Sequence, residues 1–311
     1  MISYYLKLIR WPNLLMMILI MVLVRYFIIA IPLTQAGVGL VNPPYLFGLL
    51  ILSMVLLAAA GYVINDYFDQ DVDEFNKPHK QIVGKHLKAE SAKRYYWQLN
   101  IVGLLAGFYV SYAVMSIRLA LIFIMIAGLL WFYSARYKRM VLVGNIVVAF
   151  VAAIGIFVVW FFELNTLMHH APLFIDASRL MPTITGLVFA YALFAFMSSF
   201  VRELIKDLED LRGDQRCGCR TFPVVYGSSV AKNLALGLTI ILVFMIGFWQ
   251  YILYYRDMHT AMGLLFISDA IGLVVIFRLY TAESKSHFRQ ASALVKFLML
   301  SGILSIPFLY I

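Results

Sequence analysis

The chain has 311 residues, of which 63% are hydrophobic and only 13% charged, with a formal net charge of +9. Soluble domains average about 45–50% apolar and about 25% charged residues, so a water-soluble globule is excluded. Disorder, which needs low hydrophobicity, is excluded with it.

A bilayer core takes about 20 mostly apolar residues per helix. On that ruler the sequence predicts an all-α polytopic membrane protein with about nine spans. They lie at 12–32, 45–65, 96–115, 118–135, 141–162, 181–200, 233–255, 260–277 and 293–311. Lys7 and Arg10 precede a first apolar run too long for a secretory leader, so that run reads as a span. Pro43, Pro44, Pro172 and Pro182 fall at edges between spans, where a helix starts. Cys217 and Cys219 supply neither a disulfide framework nor a four-ligand zinc site and read as loop residues.

Orientation follows from the basic residues. One side collects Lys7, Arg10, Lys77, Lys80, Lys85, Lys88, Lys93, Arg94, Arg136, Lys138 and Arg139. It also collects Arg202, Lys206, Arg212, Arg216, Arg220, Lys232, Arg278, Lys285, Arg289 and Lys296, which makes 21 of the 25. The positive-inside rule then places the N-terminus in the cytoplasm and the C-terminus outside; the cell's inner or plasma membrane is the expected location. Topology accounts for the positive charge, so no nucleic-acid partner is expected. Membrane lipids are expected partners, and the basic run from Lys77 to Arg94 suits anionic headgroups.

The acids are scarce and clustered. Of 16 Asp and Glu, ten fall in Asn65-Asp66-Tyr67-Phe68-Asp69-Gln70-Asp71-Val72-Asp73-Glu74 and in the stretch from Glu203 to Asp214. Both stretches follow an even-numbered span, so both emerge on the cytoplasmic side. Asp66, Asp69 and Asp73 are spaced by three and four residues, and Asp207, Asp210 and Asp214 repeat that spacing 141 residues later. At about 100° per residue each trio falls within about 60° of helix circumference, and Glu203 extends the second stripe by a turn. Stacked carboxylates repel one another unless cations lie between them. Hard divalent cations such as magnesium take oxygen ligands and are held by a few carboxylates plus substrate phosphates. Two such stripes facing each other across one cytoplasmic-side cavity suit a diphosphate with its metal ions. A solvated cap or loop group is the reading for any single aspartate, and two matched trios in an acid-poor chain argue against it. The offset repeat suggests that the spans around 45–115 and 181–255 arose by duplication.

Asn65-Asp66-x-x-Asp69-x-x-x-Asp73 resembles the first signature of the UbiA-type intramembrane prenyltransferase superfamily. Asp210-x-x-x-Asp214 resembles its second, continued by Gly218-x-x-Thr221, with smaller echoes in Arg10-Trp11-Pro12-Asn13, Tyr133-Ser134-x-x-Tyr137-Lys138-Arg139 and Gly144-Asn145. Arg202-Glu203-x-x-Lys206-Asp207-x-Glu209-Asp210 and Asn76-Lys77-Pro78 look most like the geranylgeranylglycerol-phosphate geranylgeranyltransferase branch. Where the family continues with Arg-Pro, this chain has Lys80-Gln81, which keeps the charge and loses a bidentate guanidinium.

The resemblance implies a single domain over 1–311, a helical bundle around a central cavity. It implies magnesium-dependent transfer of an isoprenoid chain, geranylgeranyl in the branch it most resembles, from an isoprenyl diphosphate to a lipid-soluble or phosphate-bearing acceptor. Its catalytic positions fall on Asp66, Asp69, Asp73, Asp210 and Asp214, and the metal set is these five with Asp207. Its substrate contacts fall on Asn13, Asn65, Tyr133, Lys138, Arg139, Arg202 and Lys206. Tyr62, Tyr67, Phe68 and Tyr133 offer π faces to an allylic cation. The alternatives are an aromatic quinone precursor or haem as acceptor and, in another class, a divalent-cation transporter, whose acids would sit nearer the bilayer midplane. Arg25 and Asp269 lie within apolar stretches and are expected to be structurally paired, with each other or with other polar groups. His169 and His170 are expected to be solvated on the far side.

Overall fold

The computed structural model describes residues 2–76 and 81–310. The Lys77, Pro78 and Lys80 positions of the family resemblance lie outside the described residues. In chain order the helices are α1 Ile2–Leu8, α2 Trp11–Leu23, α3 Ala30–Gln35, α4 Pro44–Phe68, α5 Gln70–Asn76, α6 Ala89–Ala113 and α7 Ile117–Ala135. They continue as α8 Val143–Met168, α9 Ala171–Ala177, α10 Met181–Arg216, α11 Phe222–Tyr226, α12 Ser228–Tyr255, α13 His259–Tyr280 and α14 Lys285–Leu304. A π-helical turn, Val24–Ile29, joins α2 to α3. The chain forms two compact units, Met1–Tyr137 with Ile154–Val188 and Lys138–Ala153 with Phe189–Ile311.

Eight helices among the described residues are long and apolar enough to cross a membrane: Trp11–Gln35, Pro44–Phe68, Ile117–Ala135, Val143–Met168, Ala171–Arg216, Ser228–Tyr255, His259–Tyr280 and Lys285–Phe308. The expected span at 96–115 falls on α6, which is helical but carries Gln98 and Asn100 and is not among the eight. Its packing nevertheless sets it beside two of them. In the first unit α6 lies against α4 and α7. Gly103 and Gly107, one turn apart, let the backbones close in, as small residues do at helix interfaces in lipid. The Ser53 hydroxyl donates to the Gly103 carbonyl at 2.8 Å. A methyl group on Gly107 would stand 2.6 Å from the Phe123 ring and 2.7 Å from Ser53 Oγ, and both are buried. We expect Gly107→Ala to destabilise the protein by about 1–3 kcal/mol, read as a lowered unfolding midpoint in micelles, because a packed core resists added volume. An unchanged midpoint would show that α6 is not held there.

In the second unit α12, α13 and α14 pack in sequence. Val201, Leu204, Ile205 and Leu208 of α10 are buried in one cluster with Ala231, Ala235, Val275, Leu279 and Val295. At about 100° per residue these four face one side of α10, and Glu203, Asp207, Asp210 and Asp214 fall within about 60° on the opposite side. Burial of the apolar stripe therefore aims the acidic one. The helix runs on to Arg216, well past the apolar stretch at 181–200, so the second trio is helical throughout.

The first trio is interrupted. α4 ends at Phe68 and Asp69 caps it at φ −94° and ψ 7°. The Asp69 amide still donates to Asn65 O at 3.0 Å and the Asp73 amide to Asp69 O at 2.8 Å, so the i to i−4 pattern crosses the break.

Both ionisable residues within apolar spans have partners. Arg25 is fully buried and its Nε donates to Glu163 Oε1 at 2.8 Å. Its Nη2 donates to the Asn42 carbonyl at 2.5 Å, and Asn42 Nδ2 in turn donates to Glu163 Oε2 at 3.2 Å. Asp269 accepts from Gln250 Nε2 at 2.7 Å. His169 and His170 are exposed, as expected.

Candidate active site

In the first unit the acidic motif is built at the C-terminal end of α4. Asn65 and Asp69 are buried, and Asn65 Nδ2 donates to Asp69 Oδ2 at 2.8 Å and to Asp66 Oδ1 at 3.4 Å. One amide thus holds two carboxylates of the trio. Arg10, between α1 and α2, donates from Nη2 to the same Asp66 oxygen at 2.8 Å. Its guanidinium lies 4.9 Å from the centre of the Tyr62 ring, one helical turn before Asp66. The Arg10 backbone is left-handed, at φ 52°, where a side chain is strained. Asn13 Nδ2 donates to the Tyr62 hydroxyl at 3.2 Å, which ties the start of α2 to the same face of α4. Partial burial disfavours the Arg10 charge, but Asp66, with Tyr62 and Tyr133, more than offsets it and holds the guanidinium pKa above its ordinary value. Tyr67 and Phe68 pack edge to face, as do Phe68 and Trp131.

In the second unit each acid of α10 has a polar neighbour. Asn145 Nδ2 donates to Asp207 Oδ2 at 2.8 Å, and Lys138 lies within electrostatic reach of Asp207. Glu203 Oε1 accepts from Arg202 Nη1 at 3.0 Å and from Lys206 Nζ at 2.6 Å. Lys285, at the start of α14, stands 3.9 Å from Asp210 Oδ1, and one turn on Arg289 Nε donates to Glu209 Oε1 at 3.0 Å. The buried Asp214 accepts from the Thr221 hydroxyl at 3.3 Å. The Arg220 amide donates to the Arg139 carbonyl at 2.9 Å, which folds the loop after α10 onto the short turn Tyr137–Arg139. Burial, with the Asp214 charge, pushes the Cys219 thiol up to about 11, so it is a neutral packed group at physiological pH. Cys217 and Cys219 lie in the turn and loop between α10 and α11, as the sequence reading has them.

The structure therefore brings Asn13, Asn65, Asp66 and Asp69 together in the first unit. In the second it brings Lys138, Arg202, Lys206, Asp207, Asp210 and Asp214 onto or beside one face of α10. Asp73 follows on α5, and Tyr133 lies near Arg10. Among the described residues no three carboxylates, histidines or cysteines close into a ready-made metal cage. Magnesium does not need one, because it keeps several waters and takes one or two carboxylates together with phosphate oxygens. The donors are oxygen only, and cations already stand on Asp66 and near Asp210, so the residues fit a hard divalent ion. Sequence reasoning passed over Arg10 and Asn145 as site members although their short motifs were visible. Lys285 and Arg289 carried no local signal, because only the packing of α14 brings them to α10.

Comparison with known proteins agrees with this architecture. A sequence model of the UbiA prenyltransferase family matches residues 26–301. A digeranylgeranylglyceryl phosphate synthase of Methanobrevibacter smithii is 29% identical over 238 residues, 76% of this chain and 74% of its own length. A solved structure of a digeranylgeranylglyceryl phosphate synthase superposes with a TM-score of 0.62 at 22% identity, covering 98% of this chain and 97% of that one. A UbiA homolog from Archaeoglobus fulgidus, bound to DMAPP and Mg2+, superposes with a TM-score of 0.56 at 16% identity over 97% of this chain and 98% of its own. These two share the fold. The family match spans most of the sequence and includes both aspartate motifs, and the chain belongs to the UbiA prenyltransferase family.

Proposed function

We propose that this chain transfers an isoprenoid chain from an allylic diphosphate to a small acceptor of the glycerol-phosphate lipid type, in the plasma or inner membrane, with Mg2+ as cofactor. The observation that carries the reading is Arg10 on Asp66: a carboxylate suited to a metal, touching a cation suited to a phosphate, with Asn65 bridging to the next acid. Breaking an allylic C–O bond leaves a delocalised carbocation and a highly charged diphosphate. Magnesium held by Asp66, Asp69, Asp73, Asp207, Asp210 and Asp214 would supply charge neutralisation for that leaving group. Arg10 in the first unit, and Lys138, Arg139, Arg202 and Lys206 in the second, are the cations suited to diphosphate oxygens, where charge develops. Asn13 and Asn65 orient it, and Tyr62 and Tyr133 present ring faces to the allylic cation. The names of the relatives favour the glycerol-phosphate acceptor, and the DMAPP and Mg2+ of the Archaeoglobus homolog favour the donor class. We take residues 1–311 as one prenyltransferase domain with a cytoplasmic N-terminus, on the asymmetry of its basic residues.

The test incubates purified protein in lipid vesicles with Mg2+, labelled allylic diphosphates of several lengths, and glycerol-phosphate, aromatic or haem acceptors. Labelled ether lipid is expected. Divalent-cation flux into the vesicles without prenyl transfer would favour a transporter instead. We also expect Mg2+ to raise the unfolding midpoint more when an unreactive diphosphate analogue is present. A ligand at 100 times its Kd adds about 2.7 kcal/mol to the folded state. Full turnover after thorough chelation would count against the assignment.

A further inference from the structure

The groove that opens on the first two turns of α6 lies apart from both aspartate motifs in sequence and in lining. Glu90, Lys93, Arg94 and Trp97 line it, and its volume is about 480 Å3. They stand at i, i+3, i+4 and i+7, which is one face of a helix. All four are exposed, Trp97 by 51%. The spacing would let Glu90 pair with either base, yet among the described residues none of the three charged side chains makes an ion pair or hydrogen bond.

The order of the groups along the axis is informative. At 1.5 Å per residue the two bases lie about 4.5–6 Å further along the helix than Glu90, and Trp97 about 10 Å further. Beyond Trp97 and the exposed Gln98 the exposed residues turn apolar, with Ile101, Val102 and Leu105 each half exposed or more. Indoles collect at the headgroup level of a bilayer, which would set this groove at the water boundary with its acid outermost, then two bases, then the indole, then the apolar side chains. The complement of that order is an ammonium outermost, a phosphate one step inward, a glycerol ester and then acyl chains. We propose that this groove binds the headgroup of a phosphatidylethanolamine-type lipid, with its phosphate on Lys93 and Arg94, its ammonium on Glu90 and its glycerol region against Trp97. A lipid with phosphate but no amine leaves Glu90 facing like charge, and a choline headgroup has no N–H to donate to it. The inference stands whether or not the proposed reaction is right.

Brominated lipids quench nearby indoles, and subtracting a Trp97→Phe variant isolates the Trp97 signal. The intact protein is placed in phosphatidylcholine vesicles containing equal mole fractions of brominated phosphatidylethanolamine or brominated phosphatidylglycerol. Phosphatidylethanolamine is expected to occupy the site about fivefold more than phosphatidylglycerol, the factor one interfacial charge contact gives. Glu90→Lys should reverse that order, and Lys93→Gln with Arg94→Gln should lower occupancy by both lipids. Equal quenching by the two lipids, or an order unchanged in Glu90→Lys, overturns the proposal. Displacement of the brominated lipid by soluble glycerophosphoethanolamine would also overturn it, because the site would then read a free phosphate ester and not a membrane lipid.

Discussion

Replacing Asp66 or Asp210 with alanine is expected to lower prenyl transfer by about 10²–10³-fold, the loss typical when one preorganised charge contact to a transition state is removed. The protein should stay inserted and folded. Both side chains are partly exposed, at 17% for Asp66 and 19% for Asp210, so neither truncation opens a sealed core. Each leaves a cation behind, Arg10 or Lys285, but these are 37% and 39% exposed and are rehydrated at little cost. Partly solvated pairs of this kind contribute only about 0–1 kcal/mol. Activity and stability therefore separate in these variants, which is the signature of a site rather than a scaffold. Asp66→Asn sharpens the test, since the amide oxygen still accepts from Arg10 while the charge that draws a divalent ion is gone. It should be nearly as inactive as alanine. The measurement is labelled product formed per folded molecule at saturating Mg2+, alongside the unfolding midpoint. Near-wild-type turnover in both alanine variants would remove the aspartates from the chemistry.

The aspartates were legible because the chain is so poor in acids that ten of its 16 in two stretches stand out, and because a spacing of three then four residues implies one helix face. On α10 that inference holds along an unbroken helix, and on α4 it survives the break at Asp69 because the backbone hydrogen bonds continue across it. That α10 continues past its apolar stretch has a physical reason. Hydropathy reports where a segment leaves lipid, at about residue 200, whereas helix formation needs only a packed face, which Leu204, Ile205 and Leu208 supply beyond it. The stretch at 96–115, read from the sequence as a span, is helical as α6 but falls outside the eight long apolar helices, and Gly103 and Gly107 set it against α4 and α7. Arg25 was flagged because an ionisable group in an apolar span needs a partner. The identity of that partner was not readable, because Glu163 lies 138 residues away and no local pattern encodes a contact of that range.

That pair carries the second large effect expected of this chain. Arg25 and Glu163 are both buried, with side-chain exposures of 0% and 1%, so each charge depends on the other for its solvation. The Arg25 guanidinium uses Nε on Glu163 and Nη2 on the Asn42 carbonyl, and its carbon lies 4.3 Å from the centre of the Phe47 ring, so Nη1, which makes no hydrogen bond among the described residues, is next to a π face. Asn42 closes the triangle on Glu163, and Thr166 holds the Asn42 side chain at 3.0 Å. This network pins the segment before α4 to α8 and to the π-helical turn that starts at Val24. Arg25→Met should destabilise the protein by about 3–5 kcal/mol, because it strands a carboxylate in an apolar interior. Glu163→Met should do the same by stranding the guanidinium. The double variant should recover most of the loss, since a buried ion pair replaced by apolar side chains of similar size is often neutral. Turnover per folded molecule should stay near wild type in the double variant, because Arg25 lies about 22 Å along the helix from Arg10 at 1.5 Å per residue. Equilibrium unfolding in mixed micelles reads the three midpoints. If the double variant is as unstable as the sum of the singles, the pair is not the unit that holds this region, and the hydrogen bonds to Asn42 must hold it instead.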